Sequence, residues 1–238
     1  MKQDDGVSNV VAMMLLLSIL VICVAALSSS YIPDLKENAE AMHSEEVKEA
    51  FMRFGSDVDT LFTTAQGGVY TQVFSLGGGD VLLSPSRSGG IVKIQTVDIG
   101  NVDGHTITSV NVTYTPLLPY WENQSYIYQN GVVWVTKNGK QIPVLSGLNS
   151  EPAGTAKEGK VKEAWLSAME PKQIGINGEN KYFVQNIVIL SADENKKYLS
   201  GTAEATLRIT ATDITTTTTF DGTNTTTKRI IKAVVSVE

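Results

Sequence analysis

Cysteine occurs once in this 238-residue chain and histidine twice. One cysteine cannot close an internal disulfide, and Cys23 lies inside a hydrophobic run, so neither a disulfide framework nor a CxxC pair exists. His43 and His105 stand far apart without metal-ligand spacing around them. Both read as ordinary packing or surface residues, and no metal site is expected. Basic residues are also few: Lys and Arg total 19 against 25 Asp and Glu, a net charge of −6. Neutralising phosphates needs a basic face, so this balance argues against a nucleic-acid partner. No run of Lys and Arg supports docking on anionic lipid either.

Catalytic signatures are missing as well. Gly77-Gly78-Gly79-Asp80 lacks the Gly-Lys-Ser/Thr ending of a phosphate loop and reads as a turn between strands. Asp57 and Asp59 lie two apart on a helical stretch, which points them in different directions and spoils a paired-carboxylate role. A Ser/His/Asp set around His105 has no nucleophile-elbow sequence beside it. The expectation is a protein that is not an enzyme and takes no cofactor.

What the chain does have is one long apolar run. Val10 to Leu27 reads VVAMMLLLSILVICVAAL, broken only by Ser18. About 20 helical residues cross a hydrocarbon core, so this run with Val7 is long enough to span. It holds no Pro, Gly or charge, and Ser18 can bond a carbonyl one turn back. Three readings are open. A removed secretory signal needs a positive leader and a shorter apolar core; Ala26-Leu27-Ser28 could serve as its cleavage site, but one lysine faces two aspartates in Met1-Lys2-Gln3-Asp4-Asp5-Gly6. A plain signal anchor fits the length. The third reading uses the hydrophilic leader itself.

Asp4-Asp5-Gly6-Val7-Ser8-Asn9-Val10-Val11-Ala12, leading directly into the apolar run, resembles the class III signal of archaeal type IV pilins and archaellins. The resemblance covers about the first 30 residues. It implies cleavage between Gly6 and Val7 by a prepilin peptidase, with the helix retained and later packed in a filament core against itself or other pilin-like subunits. Many members carry Lys or Arg before the small residue, then Val-Ser-Pro and a Gly; this chain has Asp5, Asn9 and Ala12. Bacterial pilins usually carry Glu where this chain has Val11, so the archaeal version is the nearer one.

Beyond Ser28-Ser29-Ser30, Tyr31 suits a membrane interface, and Pro33 breaks the helix, kinks it or opens a new one. From Asp34 to Ala65, Leu35, Ala39, Met42, Val47, Ala50, Phe51, Phe54, Val58, Leu61, Phe62 and Ala65 recur mostly every three or four positions, which predicts an amphipathic helix. The aromatics favour burial against a sheet. Gly55 weakens the helix by about 1 kcal/mol, and Gly67-Gly68 reads as its stop.

From Val69 onward, alternating β-branched segments separated by turn residues predict strands. These fall at Val69 to Leu76, Ile91 to Ile99, Thr106 to Thr115, Val132 to Thr136, Gln141 to Leu145, Tyr182 to Leu190, Ala203 to Thr212, Thr215 to Phe220 and Thr225 to Val237. Asn138-Gly139 and Asp221-Gly222 read as hairpin turns. Lys157 to Met169 is ambiguous, with a short helix possible. The fold class is therefore α+β: leader 1–6, membrane-spanning helix 7–30, stalk helix 31–66 and an extracytoplasmic, antiparallel β-rich domain 67–238.

Two surface features remain. Sequons occur at Asn111, Asn123 and Asn224, all in the predicted outer domain, and mark glycosylation candidates. Tyr120, Trp121, Tyr126, Tyr128 and Trp134 form the densest aromatic region. It reads as sheet core or, functionally, as a face contacting carbohydrate or another subunit. The chain is thus expected to be a pilin-like subunit of a surface filament or a minor pseudopilin, or else a membrane-tethered adhesive or ligand-binding domain.

Overall fold

The computed structural model describes residues 4–78, 88–119, 121, 124–146 and 158–238. The expected α+β class is what it shows: one long N-terminal helix followed by two packed, mainly antiparallel sheets. Helix α1 spans Asp4–Ala26, a π-turn spans Leu27–Tyr31, and α2 spans Ile32–Thr64. Pro33 does not break the chain of turns; it sits in the first turn of α2, where its missing N–H is tolerated.

The stop of α2 differs from the expected Gly67-Gly68. Ala65 itself takes the left-handed conformation, with φ 50°, and its N–H bonds the Leu61 carbonyl at 3.1 Å. Burial overrides local preference along this helix. Val47, Phe51, Phe54, Val58 and Leu61 are all fully buried. At roughly 2 kcal/mol each they outweigh the ~1 kcal/mol that Gly55 costs.

The first sheet orders as β1-β10-β11-β8-β7, from β1 Val69–Ser75, β10 Glu204–Phe220, β11 Asn224–Val237, β8 Asn180–Ala192 and β7 Lys172–Asn177. The second orders as β6-β5-β4-β3-β2-β9. It comprises β2 Gly89–Val102, β3 His105–Leu117, β4 Ser125–Gln129, β5 Val132–Lys137, β6 Lys140–Ser146 and β9 Tyr198–Gly201. Strands β2 to β6 form a meander whose three tight turns carry Asp103-Gly104, Asn130-Gly131 and Asn138-Gly139, each pair with positive φ at both positions. A two-residue type I′ turn demands this, which is why Asn-Gly and Asp-Gly occupy it.

Several expectations are corrected. Strands β4, β7 and β9 add to the predicted set. The two segments predicted at Ala203 to Thr212 and Thr215 to Phe220 are one strand, β10, carrying a bulge between Ala211 and Asp213. The ambiguous segment is helix α3, Glu158–Ser167. One pairing is parallel, β11 with β8, from Asn224↔Lys181 to Val235↔Ala192.

Helix α2 packs on both sheets. Phe51 meets Phe74 of β1 and Tyr126 of β4, with ring centroids 6.1 and 6.2 Å apart. Phe54 meets Tyr128 edge-on at 5.0 Å, and Phe62 meets Trp165 of α3 edge-on at 4.6 Å, the arrangement ring quadrupoles favour. The helix therefore runs through the core of the domain and is not a free stalk.

Candidate functional site

The feature that sets this fold apart is the continuous helix, so the site is built from its three parts. Asn9 to Thr64 forms 56 residues of unbroken helix, apolar enough in its first part to cross a membrane. At 1.5 Å per residue it is about 84 Å long. From Val10 to Leu27 every side chain is exposed, including all the large apolar ones. Such a surface is unstable in water and must be covered by lipid or by other apolar helices. Ser18 donates to the Met14 carbonyl at 2.7 Å, so the one polar side chain in the run is satisfied within the helix. Gly6 and Val7 lie in the opening turns of α1, and Cys23 is an exposed free thiol.

The second part is a neck. In the π-turn Leu27–Tyr31 no side chain is buried, and the Ile32 N–H bonds the Leu27 carbonyl five residues back. Pro33 explains the wide turn. A proline ring clashes with the carbonyl four residues earlier, here that of Ser29, and one extra residue in the turn relieves the clash. The first fully covered side chain is Lys36, so Leu27 to Leu35 separates the apolar half from the domain.

The third part is the face of α2 that meets the sheets, and it changes character along its length. Its first turns bury Lys36, Glu40, His43 and Ser44; from Val47 onward the buried face is apolar apart from Gly55. The polar stretch is matched by tyrosine hydroxyls. Ser44 Oγ and Tyr126 Oη lie 2.7 Å apart, His43 Nε2 is 3.1 Å from Tyr114 Oη, and the Trp121 backbone N–H donates to Glu40 Oε2 at 2.7 Å. Burial raises the hydroxyl pKa of Tyr114, Tyr126 and Tyr128, so all three stay neutral.

The two helix aspartates diverge, as their spacing predicts. Asp57 accepts from Gln72 Nε2 of β1 at 2.6 Å; burial raises its carboxyl pKa while that bond lowers it. Asp59 lies on the side of Tyr128 in β4. Its Oδ1 has no hydrogen-bond partner, and burial pushes its carboxyl up to about 6.

The aromatic region is core in large part. Tyr126, Tyr128 and Trp134 are 1%, 0% and 6% exposed. The expected contact face therefore does not exist at these residues. Alternation on β4 turns Tyr126 and Tyr128 onto α2, while Trp134 packs with Val132 and Val161 on the other side of the sheet. Trp121 is half-buried and Tyr120 lies outside the described residues. The sequons also separate. Asn111 sits mid-strand in β3, paired with Gln95 on one side and Gln129 on the other, with its Oδ1 shut from solvent. Asn123 lies outside the described residues. Asn224 follows the β10–β11 turn, where its side chain donates to Asp221 Oδ2 at 3.1 Å.

That turn ends the long arm of the first sheet, where β10 and β11 run past β1 but stay backed by β8 and β7. Strand β1 stops at Val69, opposite Thr210, while β10 runs ten residues further to Phe220, about 33 Å at strand rise. Threonines face each other across it, with Thr218 and Thr227 hydroxyls 3.4 Å apart. Phe220 at its end is 63% exposed. Of the expected glycine turn, Gly77 and Gly78 are described, while Gly79 and Asp80 fall outside. Among the described residues no group of three or more His, Cys, Asp and Glu could hold a metal. His43 is buried under Gly78, and His105 opens β3 half-exposed.

Residues 6–144 match the sequence model of DUF7289, a family of unknown function, and the chain belongs to that family. The matched stretch takes in the continuous helix, β1 and the meander as far as β6. No curated protein and no solved structure matches the chain.

Proposed function

We propose that this chain is a non-enzymatic, pilin-like structural subunit of an archaeal-type surface filament, held in the membrane by its N-terminal helix until it assembles. The observation that carries the reading is the unbroken 56-residue helix, exposed and apolar at one end and buried in a β domain at the other. A bare apolar helix has two chemically equivalent covers, lipid tails and the like helices of neighbouring copies, so one segment serves both the membrane and the filament state. The β domain then faces outward, with the threonine-rich arm farthest from the bilayer. Prepilin peptidase is the implied processing partner, acting at Gly6-Val7. Those residues are helical here, so the first turn must unwind for cleavage.

A second reading, a tethered adhesive domain without a filament, draws on the threonine-rich arm of β10 and the exposed Phe220 at its end. Mass spectrometry of the N-terminus of the native membrane protein separates the possibilities. A start at Val7 is the expected result. An intact Met1 removes the pilin reading and leaves a plain anchor, and a start at Ser28 or Ser29 removes both. Deleting Met1 to Gly6 should then abolish filament assembly while leaving a simple tethered domain able to reach the surface.

A further inference from the structure

Where the polar end of α2 meets the domain, several backbones approach unusually closely. A Cβ on Gly78 would lie 2.4 Å from His43 Cγ, and one on Gly90 would lie 2.4 Å from Tyr114 Cε2 and 2.6 Å from the Leu76 carbonyl oxygen. Glycine at both places lets the strand ends close over the imidazole and the phenol. Tyr114 is the hub: its single hydroxyl proton goes to the Leu76 carbonyl at 2.9 Å. The Tyr114 oxygen must therefore accept from His43 Nε2–H at 3.1 Å, which assigns the Nε2–H tautomer and leaves a lone pair on Nδ1. That nitrogen is buried and makes no hydrogen bond.

We infer that His43 is an acid-released clasp, which in its neutral form locks the first turns of α2 to the strand ends at Leu76, Gly78 and Gly90 and on protonation releases them. The added proton has only Nδ1 to occupy, and Nδ1 lies under Gly78 without a hydrogen-bond partner. Glu46 Oε2 is 3.9 Å away on a side chain 58% exposed, too far for a hydrogen bond and screened by water. The other facing groups are Glu40 on the same helix, Tyr114 of β3 and the Leu76 carbonyl. Burial lowers the imidazole pKa below its ordinary 6.5 and outweighs both carboxylates and the Leu76 carbonyl, which favour the imidazolium. The sign follows from linkage. The opened state binds the proton more readily than the closed one, so closure weakens as pH drops below 6.5 and stops weakening once the closed form titrates.

The test is hydrogen exchange of the full chain in detergent micelles, corrected for intrinsic rates, at pH 7.5 and 5.5. The amides to follow are Leu76, bonded to the Ala203 carbonyl at 2.8 Å, and Gly78, bonded to Ser88 Oγ at 3.1 Å. Opening should rise at these amides by up to about tenfold over the unit below 6.5, with the apolar half of the α2 face unchanged. His43→Gln keeps a side-chain N–H for Tyr114 but cannot take up a proton, and its opening should not depend on pH. Equal protection of the wild-type chain at both pH values overturns the inference, and so does acid opening retained in His43→Gln. If that variant does not fold, histidine NMR on the wild type decides, with His105 as the second signal. Acid opening must then begin near 6.5 and level off at the His43 midpoint, and opening that keeps rising below that midpoint overturns the clasp.

Discussion

Replacing Asp59 with asparagine probes the cost of a carboxylate held in the α2–β4 interface. Asp59 Oδ1 is shut from solvent with no hydrogen-bond partner, and burial moves the carboxyl from 3.8 to about 6. A carboxyl raised on folding destabilises the folded state wherever it must ionise. Below pH 3.8 it is protonated folded or unfolded and costs nothing. Between 3.8 and 6 stability falls as pH rises, and above 6 the whole penalty is present. The full shift corresponds to about 3 kcal/mol at ~1.36 kcal/mol per unit. The side chain is only partly buried, and solvent screening reduces this to about 1–2 kcal/mol. Asparagine keeps the shape and removes the charge. Asp59→Asn should therefore raise Tm by about 3–6 °C at pH 7.5, at roughly 2–4 °C per kcal/mol for a domain of this size. The gain should vanish near pH 4. Thermal melts of the full chain in detergent, followed by tryptophan fluorescence, read this directly through the buried Trp134 and Trp165. An equal gain at both pH values would mean a packing effect, and no gain at pH 7.5 would refute a buried, unpaired carboxylate.

Two further substitutions test the helix–sheet contact. Phe54→Ala removes a fully buried ring stacked edge-on to Tyr128 and should destabilise by about 3–5 kcal/mol in denaturant titration; a loss below 1 kcal/mol would place α2 outside the core. Ala65→Gly relieves a left-handed alanine at φ 50° and should stabilise by roughly 0.5–1 kcal/mol, net of a small loss of buried methyl. A destabilised Ala65→Gly protein would show that this helix stop is not strained.

Much of the architecture was readable from local pattern because local chemistry sets it. The apolar run needs no partner within the domain to be identified, since length and the lack of charge decide it. The three- and four-residue spacing of Val47, Phe51, Phe54, Val58 and Leu61 marked the buried face of α2. Asn138-Gly139 marks its turn, and Asp103-Gly104 and Asn130-Gly131 carry the same local signal. Strand β4 was hidden by its composition: Tyr126 and Tyr128 suit a binding surface as well as a core, and only the neighbouring helix distinguishes these. His43 looks ordinary in sequence because Tyr114, whose hydroxyl it meets, and Leu76, to which that hydroxyl donates, are 71 and 33 residues away in the chain.

The sequence by itself determined that this protein has an apolar helix of membrane-spanning length joined to an amphipathic one, followed by a strand-rich domain. Those properties depend on the period and polarity of neighbouring residues. Only the tertiary structure decided that the two helices run on through a π-turn, that β8 and β11 pair in parallel, that Asp59 Oδ1 lacks a partner and that the aromatic cluster turns inward. Each depends on residues brought together across long stretches of chain, and no local period encodes which surfaces meet. The apolar half of the helix is the exception on both counts: sequence marks it, and no part of the described fold covers it.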